Sequence, residues 1–235
     1  MVVNRAHERF YTPLLADLRT RLVVAQPENR GTAPAILYAL LVLAARQAAA
    51  DAVVFYPSDH FVSDDAAFIG QIEEAFVRTA RRPDLVTLLG KPGEQVAGVL
   101  SQRQVRRFWE KPTIADAERF RAQGWLWNSF VMVGRVSTML ALIRLTAPDL
   151  HRSFSEITGT LGTLGEMPAL ERLYCGLPSV DFSRQVLSAR PDRLAVLPVR
   201  GVHWNDLGDP ERVLATRRRA RMAPLRELLP VLISA

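Results

Sequence analysis

Short apolar segments that alternate with helical patterns constrain most strongly how this chain can fold. Residues 52–56 form a continuous apolar run that ends at Pro57, which is typical of a strand buried on both faces. Residues 33–49 are apolar nearly all round and are predicted to form a buried helix. Further strands are predicted at residues 22–25, 85–89 and 194–199. Strands that alternate with helices indicate an α/β sheet.

The pattern changes after Lys91. Two strands are predicted at residues 96–100 and 105–109, on either side of a polar turn. A helix at residues 115–123 and a strand at residues 125–133 follow. The change predicts a small β layer inserted over one end of the main sheet.

Composition narrows the class of protein. Of 235 residues, 49% are hydrophobic and 23% are charged, so disorder and coiled coil are excluded as overall descriptions. The single cysteine, Cys175, cannot form an internal disulfide and favours a reducing compartment. The longest apolar stretch, residues 33–45, is too short to cross a bilayer, and no basic-then-apolar leader opens the chain. We expect a cytoplasmic protein with no membrane partner.

The net charge of +6 does not by itself identify the kind of partner that the protein binds. Only Lys91 and Lys111 are lysines among the 30 basic residues, and the densest basic run is residues 217–221. A run of this kind is usually a solvated helix face, so residues 216–235 are predicted to form a basic helical tail. Binding to nucleic acid is the alternative; it is not favoured, because no aromatic residues interleave with the arginines.

Polar clusters follow three of the predicted strands. Asp59 follows residues 52–56, Glu110 and Lys111 follow residues 105–109, and Asp206 comes shortly after residues 194–199. Open parallel sheets bind ligands beyond the carboxyl ends of their strands, and an acid there is costly unless it is paired or metal-bound. Asp59 and Asp206 would suit Mg²⁺, which takes one or two carboxylates together with phosphate oxygens. Lys111 could neutralise a phosphate, and Glu110 could accept hydrogen bonds from hydroxyl groups.

Each cluster also has a plainer interpretation. An aspartate after a strand commonly serves a turn or a helix cap, and Glu110-Lys111 could be a solvated turn before Pro112. The order and context of the clusters favour phosphate chemistry over these separate explanations.

Five segments come in the order seen in sugar-nucleotide pyrophosphorylases. They are Glu28-Asn29-Arg30-Gly31-Thr32-Ala33-Pro34-Ala35, Pro57-Ser58-Asp59-His60, Trp109-Glu110-Lys111-Pro112, Leu126-Trp127-Asn128-Ser129 and Trp204-Asn205-Asp206-Leu207-Gly208. Over residues 1–215 the chain resembles this nucleotidyltransferase family, and within it the mannose-1-phosphate guanylyltransferases. The resemblance implies a Rossmann-like, mostly parallel sheet, with residues 1–215 as one nucleotidyltransferase-like domain.

The resemblance also implies a reaction. The family makes a nucleotide sugar from a nucleoside triphosphate and a sugar 1-phosphate, with Mg²⁺ as cofactor and pyrophosphate as the second product. GTP is the favoured triphosphate, and a homo-oligomer is compatible with the family.

Site residues transfer by motif. Asp59 and Asp206 are expected to hold the metal and, with Lys111, to serve catalysis. The resemblance places sugar hydroxyls at Glu110 and Asn128 and the sugar phosphate at Lys111. The resemblance also places Glu94 on the sugar, and Gln26 and Gly31 on the nucleotide base.

Two departures from the family qualify these expectations. No glycine-rich triphosphate loop precedes Val2, and in residues 92–100 only a proline, Glu94 and one glycine of the sugar-binding stretch remain. The first central strand of the sheet is therefore expected to be missing, between the strand that ends at Val3 and residues 52–56. We expect an N-terminally shortened chain of weak activity. The alternative is a degenerate family member that acts as a binding or regulatory subunit.

Overall fold

Strands and helices alternate through the part of the chain that the computed structural model describes, residues 1–17, 22–92 and 103–220. The strands are β1 (Val2–Asn4), β2 (Val24–Gln26), β3 (Ala52–Phe55), β4 (His60–Val62), β5 (Val86–Pro92), β6 (Arg103–Gln104), β7 (Leu126–Arg135), β8 (Leu194–Pro198) and β9 (Trp204–Asp206). The α-helices are α1 (Glu8–Asp17), α2 (Thr32–Ala45), α3 (Asp65–Arg81), α4 (Ile114–Ala122), α5 (Val136–Thr146), α6 (Pro148–Ser155), α7 (Glu166–Gly176) and α8 (Pro210–Ala220).

A five-stranded sheet in the order β3-β7-β5-β8-β6 forms the centre of the molecule. Strands β3, β5 and β8 run in one direction, whereas β7 and β6 run in the other. Three of the five strands share one direction, and β7 is inserted antiparallel between β3 and β5. The predicted α/β fold with a mostly parallel sheet is therefore confirmed.

Two smaller strand pairs stand apart from this sheet. Strands β1 and β2 form a parallel pair, and β4 and β9 form an antiparallel pair. Among the described residues, β3 pairs only with β7, so the apolar run predicted as a central strand lies at the edge of its sheet.

Helices cover both faces of the sheet. On one face lies α2, whose nearly uniform apolar surface is buried at eight positions and packs with α5 and α6. On the other face α3 covers a smaller cluster around Ala75, Leu89 and Val131. Within the described ranges, no helix is both long enough and apolar enough to span a membrane.

One strand prediction is wrong. Residues 105–109 form no strand, because their partner strand ends. The antiparallel ladder pairs Gln104 with Ala195, and the N–H of Val105 still donates to the carbonyl of Leu194 at 2.9 Å. The next residues opposite belong to a 3₁₀ turn, Pro191–Arg193, which offers no ladder. Alternation in a sequence shows that a segment could be a strand, but it does not show how far its partner extends.

The predicted domain boundary near the C-terminus can be compared with the helix that lies there. The predicted boundary between residues 215 and 216 lies inside α8, which continues to Ala220 and buries Thr216. The side-chain amide of Asn205 donates to the hydroxyl of Thr216 at 2.8 Å, so this part of the predicted tail packs on the domain. Residues 221–235, the strand predicted at residues 96–100 and Glu94 lie outside the described residues.

Candidate functional site

The pairing of β4 with β9 brings Asp59 and Asp206 together. Asp59 immediately precedes β4, and the antiparallel register places His60 opposite Asp206. The backbone N–H of Leu207 donates to the carbonyl of Asp59 at 2.6 Å, which extends the pairing by one step. Two acids that are far apart in sequence therefore lie at the same end of one short ladder.

Their carboxylates face a common space beside Gly208. A Cβ atom built on Gly208 would lie 3.5 Å from Oδ2 of Asp59 and 3.6 Å from Oδ1 of Asp206. Glycine has no Cβ atom, so this position beside both carboxylates is not filled by a side chain. We call Asp59 and Asp206 the acid pair.

The surroundings of the acid pair are polar and partly buried. The indole Nε1 of Trp204 donates to Nδ1 of His60 at 3.1 Å, and Nη1 of Arg212 forms an ion pair with Oδ2 of Asp206. Burial lowers the pKa of His60, and the nearby carboxylates of Asp59 and Asp206 oppose this shift only in part.

The donor set suits a cation that needs few protein ligands. Across the described ranges, no three His, Cys, Asp or Glu side chains are clustered so as to enclose a metal. A closed zinc site is thus not offered by these residues. Two convergent carboxylates match Mg²⁺, which completes its octahedron with water and phosphate oxygens.

Lys91 joins the acid-pair region to the main sheet. Its Nζ atom donates to the carbonyl of Trp204 at 3.0 Å and lies 5.7 Å from the centre of the Trp204 ring. Lys91 belongs to β5, opposite Trp127 of β7. The sequence interpretation missed this residue, although its rarity, as one of two lysines in an arginine-rich chain, was an available signal.

A bulge in β7 positions Asn128. Leu89 pairs with Val131, but the next residue, Gly90, pairs with Asn128, so Ser129 and Phe130 are left unpaired. The buried hydroxyl of Ser129 donates to the carbonyl of Leu89 at 2.5 Å, and Phe130 has a positive φ of 60°. Oδ1 of Asn128 accepts the N–H of Phe130 at 3.0 Å, which leaves the amide NH₂ of Asn128 as the group that can donate to a ligand.

Glu110 and Lys111 lie on a turn before α4. Lys111 has a positive φ of 49°, and its side chain is exposed. Burial raises the pKa of Glu110, the carboxylate of Asp181 raises it further, and Lys111 partly offsets both effects. Asp181, which the sequence interpretation also missed, caps the following turn by accepting the N–H of Arg184 at 2.8 Å.

Gly31 is required by the backbone that passes beside it. It has a φ of 89°, and a Cβ atom there would lie 2.4 Å from the carbonyl oxygen of Val180. Hydrogen bonds join the two segments: the N–H of Ala33 donates to that carbonyl at 3.0 Å, and the N–H of Phe182 donates to the hydroxyl of Thr32 at 2.8 Å. The absence of a side chain at Gly31 is explained by this close approach, whatever ligand lies nearby.

Gln26 is buried at the end of β2. Its Oε1 atom accepts the hydroxyl of Tyr174 at 3.1 Å, and burial raises the pKa of that hydroxyl. The side-chain carbonyl of Gln26 thus accepts a hydrogen bond inside the protein, and its NH₂ group can donate to a further partner.

The expected site residues therefore fall into three groups. Asp59 and Asp206 form the first, Glu110, Lys111 and Asn128 the second, and Gln26 and Gly31 the third. The segment 180–182 links the second and third groups: Val180 contacts Gly31, and the Phe182 ring lies 6.3 Å from that of Phe130, beside Asn128. Within the described ranges, no hydrogen bond or ion pair joins Lys111 to the acid pair.

A cavity of about 560 Å³ lies beside Asn128. Its wall includes Trp109, Trp127 and Arg107, and it reaches Pro112, so it borders both sides of the Glu110-Lys111 turn. Its size lies in the range of small-molecule sites.

Comparisons with known proteins identify the family of the chain. The family model described as nucleotidyl transferase matches residues 1–220. The xanthan biosynthesis protein XanB of Xanthomonas campestris pv. campestris is 29% identical over 220 residues, which cover 88% of this chain and 46% of that protein. An Escherichia coli mannose-1-phosphate guanylyltransferase is 27% identical over 203 residues, which cover 79% of this chain and 43% of that protein.

A solved structure shows the same fold. The crystal structure of mannose-1-phosphate geranyltransferase from Thermus thermophilus superposes with a TM-score of 0.74 at 23% identity, over 95% of this chain and 64% of that one. The chain spans about half the length of the curated relatives it matches. Because the family model covers nearly the whole sequence, the chain belongs to the nucleotidyl transferase family.

Proposed function

We propose that this chain transfers a nucleotidyl group from a nucleoside triphosphate to a sugar 1-phosphate. An oxygen of the sugar phosphate attacks the α-phosphorus, the bond from that phosphorus to the bridging oxygen breaks, and pyrophosphate leaves with the electron pair. The observation that carries the proposal is the convergence of Asp59 and Asp206 beside Gly208 in a chain of this family.

The acid pair is the proposed site of Mg²⁺. When bound there, the cation would neutralise charge that gathers on the triphosphate during the transfer. The carboxylates of Asp59 and Asp206 would hold it, and the missing side chain of Gly208 would leave room for phosphate oxygens.

The second group of residues is the proposed site of the sugar 1-phosphate. The exposed ammonium of Lys111 can pair with the phosphate, and the carboxylate of Glu110 can accept sugar hydroxyls. The NH₂ group of Asn128 can donate to a hydroxyl from the neighbouring bulge. The adjoining cavity supports the assignment of Asn128, which lines it, and its wall includes Trp109 and Pro112, the neighbours of Glu110 and Lys111 in the chain.

GTP and mannose 1-phosphate are the proposed substrates. Support comes from the similarity to a mannose-1-phosphate guanylyltransferase of Escherichia coli. The base would lie against the loop at Gly31, with the NH₂ of Gln26 as a donor. Both residues also serve the structure through Val180 and Tyr174.

Pyrophosphate release from GTP, Mg²⁺ and mannose 1-phosphate tests the proposal. We expect activity that Asp59→Asn and Asp206→Asn each lower by about 100-fold or more, because each replaces a negatively charged ligand of the cation with a neutral, weaker one. Gly208→Ala should lower activity without unfolding the chain, since its Cβ would make only ordinary contacts of 3.5 and 3.6 Å while filling the open space.

Controls separate this outcome from its alternatives. Asp149→Asn changes the same charge on the exposed surface of α6 and should leave turnover unchanged. GTP binding with no pyrophosphate release under any condition would contradict catalysis and favour a binding or regulatory role. Turnover that survives both acid-pair substitutions would remove the acid pair from the site.

A further inference from the structure

The two oxygens of Asp206 face different partners. Oδ1 faces the open space beside Gly208 that it shares with Asp59. Oδ2 accepts a hydrogen bond from Nη1 of Arg212, in the first turn of α8. Asp206 therefore has a guanidinium at one carboxylate oxygen and the space beside Gly208 at the other.

Arg212 places a guanidinium in a half-exposed position. About half of its side-chain surface (54%) remains exposed. It can therefore act on a ligand as well as on Asp206. No described acidic side chain other than Asp206 forms an ion pair with it.

A cation in this position discriminates between two forms of a divalent metal. A free divalent cation entering beside Asp59 is repelled by the guanidinium, which also neutralises part of the charge on Asp206. A metal that arrives on a triphosphate brings a net negative charge, which the same guanidinium attracts and can hydrogen-bond.

We propose that Arg212 makes the acid pair select a divalent cation carried by a nucleoside triphosphate over the free cation. This inference rests on the proposed function, since it takes the acid pair as the metal site. Arg212 is then a specificity-determining residue of the site.

Mn²⁺ binding tests the inference without any turnover. Free Mn²⁺ is titrated into the protein, with and without GTP, and bound metal is measured by electron paramagnetic resonance. We expect Arg212→Gln to tighten binding of free Mn²⁺ on the order of tenfold, as expected for removing one unit charge a few ångströms from a divalent ion in water. The same variant should bind the Mn²⁺–GTP complex several-fold more weakly.

Two matched variants identify the cause. Arg212→Lys keeps the charge and should restore most of the discrimination. Arg218→Gln removes an equal charge from an exposed position on the same helix and should change neither affinity. Far-ultraviolet circular dichroism of each variant checks that α8 is retained.

The outcomes distinguish this inference from the proposed function. If Asp59→Asn and Asp206→Asn weaken Mn²⁺ binding but Arg212→Gln leaves free Mn²⁺ affinity equal or lower, the role of Arg212 is overturned and the metal site stands. If the acid-pair substitutions leave Mn²⁺ binding unchanged, or no Mn²⁺ binds to any variant, both proposals are overturned.

Discussion

At the scale of single residues, the two glycines of the site serve different purposes. Gly31 has a left-handed backbone and lies against the carbonyl of Val180, so the fold itself requires it. Gly208 meets only two carboxylate oxygens at ordinary distances, so the fold would accept a side chain there. A sequence shows both as glycines in motifs and does not distinguish the two causes.

Gly31→Ala is predicted to destabilise the chain by about 1–3 kcal/mol, the usual cost of a strained left-handed residue. The 2.4 Å approach to the Val180 carbonyl means that backbone must also shift. Urea unfolding measures the loss. Gly70→Ala is the control: it lies inside α3, where the added Cβ meets nothing within 4 Å beyond its chain neighbours and the helix's own backbone, and it should stabilise by about 0.5–1 kcal/mol. Equal effects at both positions would contradict the account of Gly31.

The pKa of Glu110 predicts how sugar-phosphate binding depends on pH. Burial and the Asp181 carboxylate raise this pKa, so the carboxylate becomes protonated at a higher pH than an ordinary glutamate. Mannose 1-phosphate binding, measured by calorimetry, should weaken as the pH falls through the raised pKa. Asp181→Asn should move this loss of binding to lower pH, since it removes a neighbouring negative charge while an amide oxygen can still cap Arg184.

The same shift sets the sign of the effect on stability. The folded state disfavours the ionised form of Glu110. The free energy of unfolding should therefore increase as the pH falls through the raised pKa of Glu110 and its carboxylate becomes protonated. Glu110→Gln should therefore not lower the melting temperature at pH 7. A lower melting temperature in Glu110→Gln would show that the carboxylate is held by a favourable contact instead.

At the scale of elements, the bulge in β7 connects the sheet to the candidate sugar site. Ser129 is buried, donates to the carbonyl of Leu89 and accepts the N–H of Val131 at 3.2 Å, so it occupies the place of the interrupted ladder. Asn128 precedes it directly, and its direction depends on how firmly the bulge is held.

Ser129→Ala is predicted to cost about 1–3 kcal/mol, because it leaves buried backbone groups without a partner. Denaturant unfolding measures this loss, and mannose 1-phosphate affinity should fall with it as Asn128 loses its support. Ser155→Ala removes an exposed hydroxyl from the end of α6 and should change stability by less than about 0.5 kcal/mol. A Ser129→Ala protein as stable as this control would show that water replaces the hydroxyl.

How much the sequence could predict differs from element to element. The uniform apolar surface of α2 and the aspartate in the turn after β3 could be recognised from local patterns. The meeting of Asp59 with Asp206 was expected from strand ends, but the β4–β9 ladder that achieves it was not, since three-residue strands carry too little alternation. Arg212 and Asp181 could not be singled out, because their roles depend on a tertiary neighbour rather than on spacing in the chain.

At the scale of the whole molecule, the charge of +6 predicts weak attraction to any polyanion. We expect random-sequence DNA to bind weakly at low salt and to dissociate near physiological salt, as measured by fluorescence anisotropy. The double variant Arg217→Gln, Arg218→Gln should reduce this binding only slightly, since two of many dispersed positive charges are removed. Tight binding that persists at physiological salt and is lost in the double variant would favour a nucleic-acid partner instead.

The close contact between Gly31 and Val180 affects when the chain can fold during its synthesis. The loop before α2 is closed by hydrogen bonds from Ala33 and Phe182, about 150 residues apart in the sequence. A ribosome must therefore extend the chain past Phe182 before that loop has its final partners, and β8, which completes the pairing of β5, emerges later still. Contacts of such long sequence separation form slowly. The N-terminal third of the nascent chain should thus stay partly folded, and accessible to chaperones and proteases, until β8 has been synthesised.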